Sequence, residues 1–391
     1  MIVAGVEPRA VVEPHGVAEL AACVAALYAS DSSFAFAGGG TELELGNAPH
    51  SIDTQVKVTG CDAVIEYAPQ DQTITVEAGL TLAAVNAVLA NEGQFLAIDA
   101  AEPERTTIGG AIATNLYGGR RLRYGSVKDT IVGIEIVRPD GTRARGGGKV
   151  VKNVAGFDMP KLMVGSLGTL GAIAAATFRV HPVAERRAAL EYADVTVEQM
   201  MHVGEELVRE ALVPAAVIGF ARCESGRYDC RVAFEGFGRG VEQQMDTAKE
   251  IASRLGLTAG AHESGAGASI DERERAVRRT APWRLTLSAR PSVLARFLHT
   301  APFPNGARHV VYPLLGAAFV GADALGADDV ARWRGLLEGG SVLVTALPQS
   351  ARAAVDVWGE PPAGALAIMR RLKQNFDPKG LCNAGRFVGG L

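Results

Sequence analysis

The chain has 391 residues, of which 48% are hydrophobic and 21% charged, a balance typical of a globular protein with room for two domains. Its formal net charge of −4 gives no reason to expect nucleic-acid binding, and no apolar run reaches the roughly 18 residues of a membrane span. Residues 1–16 lack both a basic region and a sustained apolar region, so we expect no secretory signal and a cytoplasmic location. The five cysteines are scattered without a C-x-x-C pair, which predicts neither a zinc site nor an iron–sulfur cluster.

Apolar periodicity predicts a mixed first half that ends near residue 183. Helices are expected at residues 17–29 and 82–91, and strands at residues 34–36, 73–77, 131–137 and 173–180. The Asp140-Gly141 pair closes a strand as a hairpin turn would. Pro182 and the charged residues 185–187 then mark a domain boundary.

The second half alternates helical and strand patterns of a different kind. We expect helices at residues 197–212 and 241–255, and short strands at residues 216–220 and 232–234, with antiparallel pairing. A last helix over residues 363–376 stops at Asp377-Pro378. We therefore divide the chain into residues 1–183, residues 184–362 and a C-terminal helix and tail over residues 363–391.

Three Gly-rich segments in the first half are the most informative feature of the sequence. They are FAGGGTELELG at residues 36–46, TIGGAIATN at 107–115 and GSLGTLG at 165–171. Successive backbone N–H groups in such loops can hold phosphate oxygens, so three of them predict a site for a long dinucleotide. The usual nucleotide-binding fingerprints are absent. A Walker loop needs Ser or Thr after Gly-Lys, but Lys149 of the only Gly-Lys pair is followed by Val150. The third segment has the spacing G-x-x-G-x-x-G and not the G-x-G-x-x-G of a Rossmann site.

In their order along the chain, these motifs resemble the flavoproteins of the vanillyl-alcohol-oxidase type, with their PCMH-type FAD-binding domain. Within that group the resemblance is to the FAD-binding E subunits of bacterial glycolate oxidases (the GlcE type). The residues that carry it are GGGT at 38–41, TIGGAIATN at 107–115 with GGRR at 118–121, YGSVKD at 124–129, RPDG at 138–141, KNVAGFDMPKL at 152–162, GSLGTLG at 165–171, PWRL at 282–285 and FDPKGLCNAGRF at 376–387. The resemblance is dense before residue 185 and thin from there to about residue 365.

The resemblance implies an α+β fold in which a PCMH-type FAD-binding domain precedes a smaller α+β domain of the FAD-linked oxidase C-terminal type. It also implies a C-terminal tail that returns to the flavin. FAD is expected to be non-covalent, because Thr41 and Glu42 stand where relatives with covalent flavin carry a histidine. The residues expected to bind FAD are Gly38, Gly39, Gly40, Thr41, Thr107, Gly109, Gly110, Thr114, Asn115, Gly156, Gly165, Gly168, Asn383 and Arg386.

Catalytic residues are not predicted by the sequence. The H-x-G-D-G-N-type histidine and metal cluster of the glycolate oxidase D subunits has no counterpart here, so we expect no metal. The isolated His262, His299 and His309 fit structural roles better than catalytic ones. Arg284, beside Trp283, is the candidate to meet a substrate carboxylate, with plain packing as its alternative. The run of arginines at residues 120–123 suits an anion, a solvated face or a partner contact equally well.

By resemblance, we expect the FAD-binding subunit of a glycolate oxidase-like complex that oxidises a short 2-hydroxy acid to the 2-oxo acid. Its partners would be a D-type flavoprotein subunit and an iron–sulfur F-type subunit. Any association with a membrane would be made through these partners. Two alternatives stay open at this point. One is a self-sufficient FAD-dependent oxidase or dehydrogenase of another alcohol, and the other is a non-catalytic assembly subunit.

Overall fold

The structure is a computed structural model and describes residues 1–148, 157–222, 226–263, 271–362 and 364–391. Among these residues the α-helices are α1 (Gly16–Ala29), α2 (Leu82–Ala90), α3 (Ile108–Thr114), α4 (Arg121–Tyr124), α5 (Val127–Thr130), α6 (Met159–Met163), α7 (Val197–Arg209), α8 (Gly238–Arg254), α9 (Glu272–Arg279), α10 (Pro291–Thr300), α11 (Ala327–Leu336) and α12 (Ala365–Phe376). The strands are β1 (Ala10–Val12), β2 (Phe34–Ala37), β3 (Thr54–Lys57), β4 (Val64–Ala68), β5 (Thr73–Glu77), β6 (Gln94–Phe95), β7 (Ile131–Val137), β8 (Arg143–Gly147), β9 (Ala172–Arg179), β10 (His181–Pro182), β11 (Arg186–Val195), β12 (Ala216–Ala221), β13 (Tyr228–Gly236), β14 (Ala259–Glu263), β15 (Trp283–Ser288), β16 (Arg308–Tyr312), β17 (Ala317–Ala322) and β18 (Ser341–Ala346).

The chain divides into two compact units. The first comprises residues 1–117, 125–183 and 360–391, and the second comprises residues 118–124 and 184–359. Residues 118–124, which the sequence analysis assigns to the FAD-binding domain, therefore belong to the second unit. Within the described residues, no helix is both long enough and apolar enough to cross a bilayer.

The first unit is built on two main sheets. A parallel three-stranded sheet has the order β1-β3-β2, and an antiparallel five-stranded sheet has the order β4-β5-β9-β7-β8. Alternation in β5 buries Ile74 and Val76 on one side, as the sequence predicts, and both join a core that lies between this sheet and helices α2 and α3. Helix α1 buries Val17, Leu20 and Val24 against the three-stranded sheet. The helix and strand predictions for this half agree with the structure to within a few residues at most element ends.

The C-terminal tail forms an integral part of the first unit. The chain beyond α12 runs parallel to β2, where Phe34 N–H donates to Leu381 O at 2.9 Å and Asn383 N–H donates to Phe34 O at 2.8 Å. The Lys373 ammonium group donates to Thr169 O, to Cys382 O and to the fully buried carboxylate of Asp377. The last helix and the tail are therefore held against the segment at residues 165–171.

The second unit is an antiparallel eight-stranded sheet with the order β14-β11-β13-β12-β16-β17-β15-β18. Helices α7, α8, α10 and α11 supply buried apolar side chains to its core, in which Trp333, Tyr192 and Phe297 are fully buried. The predicted antiparallel pairing is thus present in the structure. Most of the strands of this sheet were not predicted, including β11 and the strands after residue 256, although β15 and β18 alternate buried and less buried residues.

A buried carboxylate fixes residues 118–124 within the second unit. Glu235 on β13 is 6% exposed, and its carboxylate lies 3.5 Å from the Arg120 guanidinium. Tyr124 O–H donates to the other carboxylate oxygen at 2.9 Å, while Arg123 donates to the backbone carbonyl of Glu235. Burial first, and then the Glu235 charge, raises the pKa of Tyr124 to about 12. Arg120 therefore neutralises an internal carboxylate of this unit, whereas the exposed Arg123 binds only the backbone carbonyl of Glu235.

Candidate functional site

The Gly-rich segments and the tail meet in one cleft of the first unit. It contains about 670 Å³ of open space, and its walls come from the end of β2, from α3, from the segment before β9 and from the tail. Eleven of the residues predicted to bind FAD line it, namely Gly38, Gly39, Gly40, Thr41, Thr107, Gly109, Gly110, Thr114, Gly168, Asn383 and Arg386. Lining residues that the sequence analysis missed include Glu42, Val58 and Ile173.

The first segment, residues 38–41, provides unused backbone donors at the cleft. Among the described residues, no acceptor meets the N–H of Gly39 or of Gly40. Glycine is required here by close approach, because a Cβ on Gly39 would lie 1.6 Å from the carbonyl oxygen of Arg105. Gly40 has φ +80°, a left-handed conformation that glycine adopts without strain. Two adjacent N–H groups without a protein acceptor suit a phosphate oxygen.

The second segment forms a helix, so the prediction of a loop at residues 108–114 is wrong. The Thr107 side chain caps α3 by accepting from Gly110 N–H at 3.2 Å, and Asn115 ends the helix at φ +52°. The N–H of Ile108 donates to Leu80 O and that of Gly109 to Ala78 O. The amides at the start of α3 are therefore already bonded within the protein. A Cβ on Gly109 would lie 3.0 Å from Ala78 Cβ, so glycine serves close packing there.

The third segment is also bonded internally. The N–H of Gly165 donates to Ile112 O, that of Leu167 to Ala113 O, both at 2.9 Å, and that of Gly168 to Ser166 Oγ at 3.4 Å. Leu167 and Gly168 both have positive φ, which turns the chain towards β9. This segment therefore supports α3 from behind and shapes the wall of the cleft, while offering fewer free amides than the first.

The tail contributes a buried amide and a buried cation to the cleft. Asn383, which is 2% exposed, donates through Nδ2 to Leu167 O at 2.7 Å. Its Oδ1 is buried and accepts no hydrogen bond from any described residue. Arg386, which is 3% exposed, donates through Nη2 to Leu43 O at 3.2 Å and to Leu45 O at 2.7 Å. A buried guanidinium beside a cleft favours an anionic ligand or an anionic form of one.

These features fit FAD. The free N–H groups of Gly39 and Gly40 fit a pyrophosphate, the orphaned Oδ1 of Asn383 fits an N–H donor of the ligand, and Arg386 supplies positive charge. Among the described residues that line the cleft there is no histidine or cysteine, the nucleophilic side chains able to bond a flavin covalently. The composition of the wall therefore favours a non-covalent ligand.

Some predicted residues lie elsewhere. Asn115 and Gly165 are neighbours, with a Cβ on Gly165 falling 3.8 Å from Asn115 Cβ, but neither is among the residues that line the cleft. Gly156 lies outside the described residues. Arg284 is in the second unit, where its Nη1 donates to Arg279 O at 2.9 Å, and its substrate role stays a prediction. Trp283 is 3% exposed and packs in the core of that unit.

His299 and His309 make contacts typical of structural histidines, whereas the side chain of His262 lies outside what the structure describes. His299 lies 3.2 Å from exposed Glu198, and His309 shares a 2.6 Å hydrogen bond with Tyr228 while its ring stacks on Phe303. Burial lowers the pKa of His309 to about 4, so it is neutral at physiological pH. Among the described residues, no three His, Cys, Asp or Glu side chains converge as metal ligands would.

Comparisons with known proteins identify an FAD-binding domain in the first part of the chain. Residues 8–147 match the family described as FAD binding domain. The chain is 29% identical over 211 residues to the glycolate oxidase subunit GlcD of Bacillus subtilis, covering 54% of this chain and 45% of that protein. It is 33% identical over 185 residues to the glycolate oxidase subunit GlcE of Escherichia coli, covering 45% of this chain and 51% of that protein. The chain thus spans about half the length of each of these relatives.

A structural likeness extends over both units. An alkyldihydroxyacetonephosphate synthase structure superposes with a TM-score of 0.70 at 17% identity, covering 95% of this chain and 75% of that one. At this identity the likeness concerns the fold alone. With the matched domain, it confirms the predicted α+β fold with a PCMH-type FAD-binding domain. The matches also confirm FAD as the cofactor and agree with the class of FAD-dependent oxidoreductases.

Proposed function

We propose that this chain is the FAD-binding subunit of a glycolate oxidase-like complex that oxidises a short 2-hydroxy acid to the 2-oxo acid. The observation that carries the proposal is the cleft, in which unbonded amides, an orphaned amide oxygen and a buried guanidinium converge within an FAD binding domain. The names of the GlcD and GlcE relatives support the choice of glycolate or a similar acid.

The residues of the cleft divide the task of holding the cofactor. The amides of Gly39 and Gly40 bind the pyrophosphate, and the cap at Thr107 keeps α3 packed beside it. FAD bound there supplies the two-electron acceptor that oxidation of a 2-hydroxy acid needs. Arg386 stabilises negative charge at the cleft, and its bonds to Leu43 O and Leu45 O fix its position. Asn383 positions a ligand donor through its buried Oδ1.

The subunit role rests on what the wall of the cleft lacks. Removing the hydroxyl proton of a 2-hydroxy acid needs a general base within hydrogen-bond reach. Among the described residues that line the cleft there is no histidine, and the one carboxylate is Glu42, which follows the amides that we assign to the pyrophosphate. None of the described residues forms a metal cluster. We therefore assign the hydroxy-acid chemistry to a D-type flavoprotein partner, and onward electron transfer to an iron–sulfur F-type partner.

Two other functions stand beside this one. A self-sufficient FAD-dependent oxidase or dehydrogenase of another alcohol would take its base from Glu42 or from a residue outside the described cleft. A non-catalytic assembly subunit would retain the fold without its cofactor. The unbonded amides of Gly39 and Gly40 argue against the assembly role, because a scaffold needs no anion site.

The first test is the visible absorption spectrum of the purified chain before and after acid precipitation. We expect a flavin spectrum, with the colour released into the supernatant. Turnover of glycolate and D-lactate is then measured with a dye acceptor, with the chain alone and with the D-type and F-type subunits added. Activity only in the presence of the partners supports the subunit role. Turnover by the chain alone favours a self-sufficient enzyme, and a colourless chain that FAD does not reconstitute refutes the flavoprotein assignment.

A further inference from the structure

Asn383 is fixed at the wall of the cleft by bonds from both its backbone and its side chain. Its N–H donates to Phe34 O at 2.8 Å, and its Nδ2 donates to Leu167 O at 2.7 Å. A flipped amide would place Oδ1 against Leu167 O, and two acceptors cannot bond each other, so the orientation of the amide is determined. Oδ1 is thereby held in its buried position, where no described residue donates to it. This oxygen can meet a ligand donor only while Asn383 stays in place.

The backbone at this wall is strained as well as bonded. Asn383 has φ +47° and Leu167 has φ +50°, left-handed conformations that residues with a Cβ adopt at a cost in energy. Both residues line the cleft, and so does Gly168, where a Cβ would lie 2.7 Å from Asn383 Nδ2. Strained residues persist only where the surrounding structure fixes them firmly. The wall therefore depends on contacts made from behind it.

An ion pair outside the cleft holds the residue before Asn383. Cys382 is fully buried, its N–H donates to Asp377 Oδ2 at 2.9 Å, and its carbonyl oxygen accepts from Lys373 Nζ at 2.7 Å. The other oxygen of Asp377 accepts from Leu381 N–H at 3.2 Å. Lys373 Nζ and Asp377 Oδ2 lie 2.7 Å apart, and the carboxylate is fully buried. Neither Lys373 nor Asp377 lines the cleft, so the pair is placed to act on it only through the tail.

The same ammonium group also holds the segment that Asn383 contacts. Lys373 Nζ donates to Thr169 O at 2.9 Å, and the Cys382 thiol donates to Gly168 O at 3.1 Å. One cation thus joins Thr169 to Cys382, and these are the sequence neighbours of Gly168 and Asn383, which line the cleft. Because the cation is paired with a buried carboxylate, the two charges largely cancel at a distance, and the effect of the pair on a ligand is one of position.

We propose that Lys373 and Asp377 are positioning residues for FAD, which act on the cofactor through Asn383. The pair fixes the backbone of Cys382, and Cys382 in turn fixes the place from which Asn383 presents Oδ1 to a donor of the cofactor. The affinity for FAD therefore depends on an ion pair that lies outside the cleft. The inference rests on the proposed function only in placing FAD in this cleft.

The test is a double-mutant cycle in which flavin fluorescence gives the dissociation constant of FAD for the FAD-free whole chain. Asn383→Gly removes the side-chain amide and tolerates the left-handed backbone, and it should weaken FAD binding about tenfold. Lys373→Met should weaken FAD binding by a similar factor. The chain with both substitutions should bind FAD within about twofold of Asn383→Gly, because Lys373 acts only through that residue. Two independent effects would instead multiply to about a hundredfold.

Two further variants separate position from stability. Leu89→Ala opens a cavity at a fully buried position of α2 that does not line the cleft. It should lower the temperature of thermal unfolding and leave the FAD dissociation constant within about twofold of the wild type. Lys373→Met combined with Asp377→Asn removes the buried charge together with its counter-ion. This chain should be more stable than Lys373→Met and should bind FAD as weakly, and it replaces Lys373→Met in the cycle if that variant does not fold.

Three results overturn the positioning role. They are wild-type affinity in the chain without Lys373, effects that multiply in the cycle, and a loss of affinity in Leu89→Ala as large as that in Lys373→Met. The cycle needs no substrate and no partner protein, so each of these results leaves the assignment as a subunit of a glycolate oxidase-like complex unaffected. A wild-type chain that binds no FAD refutes the proposed function and this inference together.

Discussion

The sharpest test of the first Gly-rich segment is Gly39→Ala. A methyl group on Gly39 would lie 1.6 Å from the carbonyl oxygen and 2.7 Å from the carbonyl carbon of Arg105, whereas ordinary contact begins at 3.4 Å. Both atoms belong to the backbone, so no side chain can rotate away. The segment at residues 38–41 or the backbone before Thr107 must therefore move by roughly 2 Å, and overpacking of this kind costs about 1–3 kcal/mol.

The displacement falls on the amides that we assign to the pyrophosphate. If about 2 kcal/mol of this strain is expressed in the bound state, the dissociation constant of FAD rises roughly thirtyfold. The assay is titration of the FAD-free chain, followed by flavin fluorescence, with thermal unfolding measured on the same samples. Gly335→Ala is the matched control, because nothing lies within 4 Å of a Cβ at that position of α11. It should leave FAD affinity unchanged and stabilise the helix by about 0.5–1 kcal/mol.

A Gly39→Ala chain that binds FAD as the wild type does would refute this reasoning. It would show that residues 38–41 relax without affecting the cofactor, and the phosphate would then have to be sought at another part of the cleft. Loss of affinity in Gly39→Ala together with an equal loss in Gly335→Ala would point to general destabilisation. It would also contradict the assignment of the pyrophosphate to residues 38–41.

Three further predictions concern buried groups, two within the first unit and one within the second. Lys373→Met leaves the buried Asp377 carboxylate uncompensated and should lower the free energy of unfolding in urea by about 3–5 kcal/mol, whereas Lys379→Met, at an exposed pair with Asp31, should cost at most about 1 kcal/mol. Equal losses would contradict the assigned burial. His309 has its pKa lowered from 6.5 to about 4 by burial, so folding disfavours its protonated form, and stability should fall as pH drops from 6.5 to 4, by up to about 3 kcal/mol. His309→Gln should remove that part of the pH dependence of stability in denaturant titrations. An unchanged pH profile would contradict the lowered pKa of His309. Burial raises the pKa of Cys382 to about 12, so iodoacetamide at pH 8 should label this thiol only after urea is added. Mass spectrometry detects the label. Labelling of the native chain would show that the tail opens.

The sequence predicted several elements of the first unit because their signals are local. Alternation in β5, the apolar face of α1 and the turn at Asp140-Gly141 each depend on neighbouring residues, and the structure agrees with all three. The segment at residues 107–115 was wrongly predicted to be a loop, and the reason is physical. Two glycines disfavour a helix, but the Thr107 cap and the backbone bonds to Ala78 and Leu80 outweigh their propensity.

The second unit was less predictable because its sheet depends on distant pairing. Strand β11 lies between β13 and β14, and β15 lies between β17 and β18, so no short window contains these partners. The place of residues 118–124 depends on Glu235, more than a hundred positions away, which no pattern in the arginine run indicates. The anchoring role of Lys373 had a weak local signal, an i,i+4 spacing to Asp377, but its burial could not be read from that spacing.

The three Gly-rich segments that look equivalent in sequence use glycine for different purposes. Gly109 allows α3 to pack on Ala78, and Gly168 turns the chain beside Asn383, while the amides of both segments are bonded within the protein. Gly39 and Gly40, in the first segment, line the cleft with adjacent N–H groups that no described residue accepts. Recognition of the pyrophosphate should therefore be concentrated in the first segment. The other two act by holding the walls of the cleft at the distance that the cofactor requires, so glycine substitutions there should lower stability more than they lower FAD affinity.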